Sequence, residues 1–274
     1  TTWTCGTMTG YVQNSNDCDD GDAMINPYAT EVCDNSVDDD CDGNTDMEVN
    51  KALYFENGAR VLMEPNYDHD GDFTMEAWIK TSNSGGHIAT MENGDFAVWY
   101  VSSAGLLAYG ENDGTWSGWH GGPSIVDDQW HHVAIVRTAT NVRTYIDGNS
   151  ALNVGISKNI DNASFTIGAN QNGGSAFLGE IDDFRLWDSA LSQSDIQARM
   201  DRRLDGNETD LIRYFAFDHG MPAMDNAGID EARGRTANNE VGSLVGFSLS
   251  GATSNWVAGR AYPTLYADAD SDGY

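Results

Sequence analysis

The chain has 274 residues, enough for one large domain or two unequal ones with a sizeable core. Hydrophobic residues make up 40% of it, which excludes a disordered chain, and 43 acids against 14 Lys and Arg give a formal charge of −29. That balance excludes a nucleic-acid partner, which needs clustered bases, and argues against an anionic membrane surface. So much like charge repels itself unless the chain sits in high salt or holds cations. Residues 1–50 carry twelve acids and no Lys or Arg, a concentration that favours bound cations over an evenly acidic halophilic surface.

Residues 1–46 read as loops and turns, rich in Asp, Asn, Gly and Thr. All four cysteines lie here: Cys5, Cys18, Cys33 and Cys41. Four cysteines allow three pairings, and the local one, Cys5–Cys18 with Cys33–Cys41, is favoured. A short acidic segment buries little core, so disulfide staples are expected. Free thiols and a zinc site are the weaker readings, since there is no CxxC pair and no nearby His. Disulfides imply export, to an extracellular or cell-surface location. The sequence shows no secretory leader and no apolar run long enough to span a membrane, so direct membrane insertion is not expected. The chain reads as a mature fragment or one unit of a longer product.

From Lys51 the texture changes to short β-branched and aromatic runs between Gly/Asn/Asp turns. Strands are expected at Ala52–Phe55, Phe73–Ile79, Phe96–Val101, His132–Arg137, Val142–Ile146, Phe165–Ile167, Ile181–Trp187 and Leu211–Phe217. Asp147-Gly148 is a hairpin turn signal. One helix is expected at Gln193–Met200, capped by Ser192. Many short strands and little helix predict an all-β antiparallel sandwich, a jelly roll with one short helix. Trp116-Ser-Gly-Trp119-His120 falls in a Gly-rich stretch taken to lie between strands. Residues 221–260 are Gly- and Asn-rich, with a few strand-like patches.

Asp38-x-Asp40-x-Asp42-Gly43-Asn44-x-Asp46 has the spacing of a calcium loop. Alternate residues aim oxygens at one centre, and the Gly permits the sharp turn. Val49 stands where an EF-hand has its closing glutamate, so another segment must complete the shell. Asp268-x-Asp270-x-Asp272-Gly273 is a second ladder, and Asp17, Asp19, Asp20 and Asp22 form a third cluster. Carboxylates are hard ligands, so Ca²⁺ is the expected ion. The alternative is a solvated acidic run.

Two resemblances follow. Gly10-Tyr-Val-x-Asn14, Asp17-Cys-Asp-Asp20, Ala29-Thr-Glu-Val-Cys-Asp34 and Asp38-Asp-Asp-Cys-Asp-Gly43 resemble the MopE-type metal-binding motif and the thrombospondin type-3 calcium repeats. The usual opening of that motif, Tyr-x-Asp-x-Asp-x-Asp-Gly-Tyr, stands at Tyr266–Tyr274, so the motif is circularly split. The resemblance implies a head-to-tail array in which one unit's tail ladder joins the next unit's head. The clustered ligands are carboxylates without His or Met, which argues against copper.

Phe73-Thr-Met-Glu-Ala-Trp-Ile-Lys80, Trp130-His-His-Val-Ala134, Tyr145-Ile-Asp-Gly148, Ile167-Gly168 and Gly179-Glu-Ile-Asp-Asp-Phe-Arg-Leu-Trp187 resemble the laminin-G-like/pentraxin group of concanavalin-type jelly rolls. The resemblance places a second, weak calcium site at Asn93 and Asp95 with Asn170, Gln171 and Asn172, where amides replace most of the family's carboxylates. The same fold hosts glycoside hydrolases, whose E-x-D-x-x-E strand Glu180 and Asp182 resemble. Its third acid falls on Arg185, so no catalytic residue is assigned. The Trp-x-His pattern of Trp130–His132 reads as packing.

Trp116, Trp119 and His120 are the candidate ligand-binding residues, because rim aromatics stack on sugars; Trp99 and Tyr100 are possible helpers. Asn162-Ala-Ser164 and Asn207-Glu-Thr209 fit the glycosylation sequon. The chain divides into a calcium motif at 1–46, a sandwich at 47–262 and the start of a further repeat at 263–274. The expected function is a non-enzymatic calcium-binding repeat of an extracellular fibre or surface adhesin, partnered by copies of itself. The alternative is a lectin-like module for cell-surface glycans or proteins, with a glycoside hydrolase third.

Overall fold

The computed structural model describes residues 19, 21, 22, 24–26, 29, 37–39, 41, 50–67, 71–93, 95–112, 114–156, 163–222, 225–237, 240–251 and 254–260. The strands are β1 Lys51–Phe55, β2 Arg60–Tyr67, β3 Phe73–Lys80, β4 His87–Asn93, β5 Asp95–Val101, β6 Leu106–Asn112, β7 Trp116–Ser124 and β8 Trp130–Thr138. They continue as β9 Asn141–Ile146, β10 Asn149–Gly155, β11 Ala163–Ile167 and β12 Gly179–Trp187; helix α1, Gln193–Arg199, follows. Then come β13 Leu211–Phe215, β14 Glu231–Arg233, β15 Val241–Val245 and β16 Trp256–Ala258.

Two antiparallel sheets form. The first runs β10-β9-β8-β3-β12-β1-β16, with β13 also paired to β12, and the second runs β14-β15-β2-β11-β4-β5-β6-β7. Their facing sides make one core from Leu53, Phe55, Met75, Ile79, Trp99, Tyr109, Ile135, Phe165, Phe184 and Phe215 among others. Each such side chain, once buried, contributes about 1.5–3 kcal/mol. The jelly roll expected from the sequence is the fold.

β12 organises the first sheet. It pairs β3 along one edge; its other edge takes β1 at Gly179–Ile181 and β13 from Phe184 onward. The switch falls at a β-bulge where Asp183 has φ 49°, a conformation that Asp tolerates better than most residues. The bulge turns Asp182 and Asp183 away from the core. Beyond it, Arg185 and Trp187 lie under α1 and the segment after it.

The outer side of this sheet is therefore covered as well, which is why all but the last residue of β3 is buried. Ile196 of α1 packs on Ala134, Val136 and Tyr145. Ser192 caps the helix in a capping box with Asp195. Arg185 donates to the carbonyls of Arg199 (2.9 Å) and Arg202 (2.8 Å), satisfying acceptors that a helix end leaves over. The Asp147-Gly148 turn joins β9 to β10 with both φ values positive, as a type I′ turn requires.

Two expectations need correction. The Gly-rich stretch around Trp116 is a strand, β7, paired to β6 from Asn112↔Trp116 to Leu106↔Ser124. Its glycines are required by packing: a Cβ on Gly121 would lie 2.9 Å from the carbonyl oxygen of Ala151, and one on Gly122 2.7 Å from the Ala151 side chain. The run Leu211–Phe217 ends as a strand at Phe215, and Phe217 has φ 53°.

Candidate functional site

The second sheet presents an outer face at β4 to β7, and alternation along each strand decides what it shows. β7 alternates exposed and half-buried residues from Trp116 onward. Trp116 and His120 point outward and are exposed, whereas Trp119 packs against the core. Trp119 therefore does not belong with the other two. Trp99 is fully buried, and its neighbour Tyr100 takes the outward position.

Trp116 is 48% exposed, high for a side chain of its size. Its indole lies across two glycines: a Cβ on Gly110 would come within 2.1 Å of the ring, and one on Gly118 within 2.9 Å. The ring thereby leans along the sheet towards Tyr100, reaching 6.3 Å between centroids. Tyr100, Ala108 and His120 form a direct cross-strand row over β5, β6 and β7. Ala108, between Tyr100 and His120, is fully buried, so what this face offers outward is the Trp116 indole with Tyr100 and His120 beside it. Partial burial pushes the Tyr100 hydroxyl up, leaving it a neutral donor. His87 completes the row, 6.2 Å from Tyr100, with burial holding its pKa down.

Asn93 and Asp95 are backbone partners at the end of the β4–β5 ladder. The loop Asn170–Asn172 meets β4 at Glu92, a residue that the sequence did not single out. The Gln171 amide N–H donates to Glu92 Oε2 (3.1 Å), and its side chain bonds the Glu92 carbonyl (3.0 Å) and Ser164. Asn170 Oδ1 accepts from the N–H groups of Asn172 (3.0 Å) and Gly174 (2.7 Å). Arg60 Nε donates to the Gln171 carbonyl at 3.0 Å. The loop is thus held against Glu92, next to Asn93, by its own donors and acceptors and by a guanidinium.

Of the aspartate-motif residues, Asp19, Asp22, Asp38 and Cys41 are described. Asp17, Asp20, Asp40, Asp42, Asn44, Asp46, Asp268, Asp270 and Asp272, with Cys5, Cys18 and Cys33, lie outside the described residues. Asp19 Oδ1 accepts the Gly21 N–H (2.9 Å) and Asp22 Oδ1 the Met24 N–H (3.0 Å), two turns closed by aspartate side chains. The Asn26 N–H donates to the carbonyl of the buried Asp39 at 2.9 Å, joining the two halves of the motif. Cys41 is disulfide-bonded. Among the described residues no three His, Cys, Asp or Glu side chains are grouped as a metal shell. The donors that are described offer oxygen, which suits a hard cation.

The pair that resembles a glycosidase strand is closed. Glu180 is engaged by Lys80 Nζ at 3.1 Å, and Asp182 is fully buried. His132 is buried against Trp78, 5.4 Å away, as the packing reading expects. His219 is half-buried beside Trp256, and desolvation first of all lowers its pKa to about 4. Of the sequons, Asn207 is exposed and Asn162 lies outside the described residues.

The sequence model of the concanavalin A-like lectin/glucanases superfamily matches residues 55–197. The chain belongs to this superfamily. Within the concanavalin A-like domain the match runs from the end of β1 to α1, and so includes Tyr100, Trp116 and His120. A second model, of a candidate metal-binding motif of the MopE type, matches residues 17–47. Among solved structures, a candidate carbohydrate-binding protein from Bacteroides ovatus is similar at 18% identity and a TM-score of 0.55, over 74% of this chain and 60% of its own. The chain thus spans 60% of that relative's length. A heptameric SAP-like pentraxin from Limulus polyphemus is similar at 20% identity and a TM-score of 0.46, over 55% of this chain and 82% of its own. These likenesses are of fold. No curated protein matches the chain. No helix among the described residues is long and apolar enough to cross a membrane.

Proposed function

We propose that this chain is an extracellular, non-enzymatic binding module that takes a sugar on the outer face of its second sheet. The carrying observation is the exposed Trp116 indole, laid on Gly110 and Gly118 beside Tyr100 and His120. An aromatic face held flat on a rigid sheet suits the apolar face of a pyranose, while His120 and the Tyr100 hydroxyl can bond its rim. The superfamily includes lectins, and the Bacteroides ovatus relative is described as carbohydrate-binding, which agrees. The closed state of Glu180 and Asp182 supports a non-catalytic role, since a glycosidase carboxylate must reach the glycosidic bond.

A glycan array probed with the full chain tests this. Trp116→Ala should lose about tenfold in affinity, the equivalent of about 1.4 kcal/mol, with an unchanged unfolding temperature. Array binding that survives Trp116→Ala undiminished would refute the shelf as the site.

The acidic motif favours a second, compatible reading, a calcium-stiffened repeat of a fibre or adhesin joined to copies of itself. It is supported by the metal-motif match at 17–47 and by the matching ladders Asp38–Gly43 and Asp268–Gly273. Extracellular calcium modules bind at roughly 10⁻⁴–10⁻³ M, so EDTA should expose residues 1–46 to protease before the sandwich. Cleavage there that does not respond to EDTA sinks this reading.

A further inference from the structure

Three acids are buried together where β12 bulges: Asp182, Asp183 and Asp218. Two are matched. Asp218 Oδ2 takes Arg203 at 2.6 Å and Arg235 at 3.1 Å, and its Oδ1 accepts the Lys51 N–H at 3.0 Å. Asp183 takes the Tyr214 hydroxyl at 2.6 Å and Arg185 at 3.4 Å. Asp182 differs. Its carboxyl is wholly buried, and among the described residues no cationic nitrogen lies within ion-pair distance of it. Among the described residues its Oδ1 has no hydrogen-bond partner, while the Asp183 backbone N–H and Asn50 reach the carboxyl. Burial first, then the charges of Asp183 and Asp218, push its pKa up. An ionised carboxylate left so would cost several kcal/mol.

The group that Asp182 does meet is unusual. Asn50 Nδ2 lies 2.6 Å from Asp182 Oδ2 and also 2.6 Å from the carbonyl oxygen of Arg260. Both contacts are shorter than an ordinary N–H···O bond. The other end of the amide, Asn50 Oδ1, is buried and has no hydrogen-bond partner among the described residues. Which end of an amide is oxygen is settled by its surroundings. Turned over, Asn50 brings a third oxygen to the point where a carboxylate and a carbonyl already converge. Three crowded oxygens repel one another unless a cation stands among them. Gly259 lets the backbone approach: a Cβ there would lie 2.7 Å from the Asn50 amide.

We propose that Asn50 Oδ1, Asp182 and the Arg260 carbonyl bind a hard divalent cation, Ca²⁺, in the sandwich itself. Carboxylate, amide and backbone oxygens are calcium's usual donors, and Asp182 Oδ1 can make the carboxylate bidentate. The site is separate from the aspartate ladders and from the glycan shelf. It ties the residue before β1 to the second residue after β16, two strands that already pair edge to edge. The cation thereby pins the first and last strands of the domain together.

Native mass spectrometry of the full chain in calcium tests this. Asp182→Asn should hold one ion fewer than the wild type. A ladder variant, Asp38→Asn, should keep that ion, so failure of the ladder reading and of this one remain distinguishable. Asn50→Asp separates the cation from a mere hydrogen-bonding amide, even if Asp182→Asn does not fold. With a cation, the new carboxylate ligates, and the calcium-dependent rise in unfolding temperature exceeds that of the wild type. With hydrogen bonds alone, two carboxylates are forced together and the variant is destabilised equally in calcium and in EDTA. That result, or an unchanged ion count in Asp182→Asn, overturns the proposal.

Discussion

Tyr100 and Trp116 belong to strands that are not neighbours, yet their rings meet over β6 at 6.3 Å between centroids. The gap between them is bridged by what β6 lacks. Gly110 has no side chain, and the indole occupies the space that a Cβ would fill, 2.1 Å from it. Gly110→Ala should therefore push Trp116 off the sheet without touching the core. The expected result is a fall in glycan affinity comparable to Trp116→Ala, with a stability change of about 1 kcal/mol or less. Titration with an array-selected sugar, alongside urea denaturation, checks both parts. Unchanged affinity would mean that the position of the indole does not matter.

The sequence made most strands of the first sheet plain, β10 and β16 excepted, and those of the second less so. β3, β8 and β12 are rich in aromatic and β-branched residues because covers on both sides bury them. β7 was hidden by Gly118, Gly121, Gly122 and Pro123, a turn-like composition. Those small residues are there because an indole and β10 lie against them, which only the folded neighbours reveal. Trp116 and His120 could be picked out locally by type. Tyr100 could be named beside them by type, together with the buried Trp99, but choosing between the two takes the register across β6. Asn50 and Arg260 are 210 residues apart, and no spacing rule joins them. The metal-binding motif at 17–47 could be noticed for the opposite reason, its acids and cysteines standing close together in the chain.

Beneath α1 lies Glu76, wholly buried, accepting the Trp187 Nε1–H at 3.1 Å with Arg185 3.5 Å away and His132 at 3.5 Å. Burial alone would raise its pKa, but the close approach of His132, the Arg185 charge and the Trp187 N–H outweigh this and lower it below 4.5. A depressed carboxyl stabilises the fold above its unfolded pKa and loses that contribution as pH falls through the folded value. The wild type should therefore lose stability below about pH 4.5. Glu76→Gln should flatten that part of the profile. Glu76→Ala removes a partner of a buried guanidinium and should cost about 3 kcal/mol in urea denaturation. A cost within experimental error would show that Arg185 needs only the carbonyls of Arg199 and Arg202.

His131 makes the opposite prediction. It joins the β8 side of the Asp147-Gly148 turn to two carboxylates, Asp147 Oδ2 at 2.9 Å and Asp127 Oδ1 at 3.2 Å. Burial would lower its pKa, but the hydrogen bond and charge of Asp147, followed by those of Asp127, raise it above 6.5. Raising the pKa of a base means that protons stabilise the fold. The contribution is complete below the unfolded value and disappears as pH rises through the folded one. The unfolding temperature should accordingly fall across that window on the alkaline side of pH 6.5. In His131→Gln the fall should vanish, because the amide can still bond a carboxylate but carries no charge. Asp147 Oδ1 also accepts the His132 N–H at 2.9 Å, so Asp147→Asn would disturb the turn itself and is the less informative variant. A His131→Gln profile that keeps the wild-type slope would assign the pH dependence to another group.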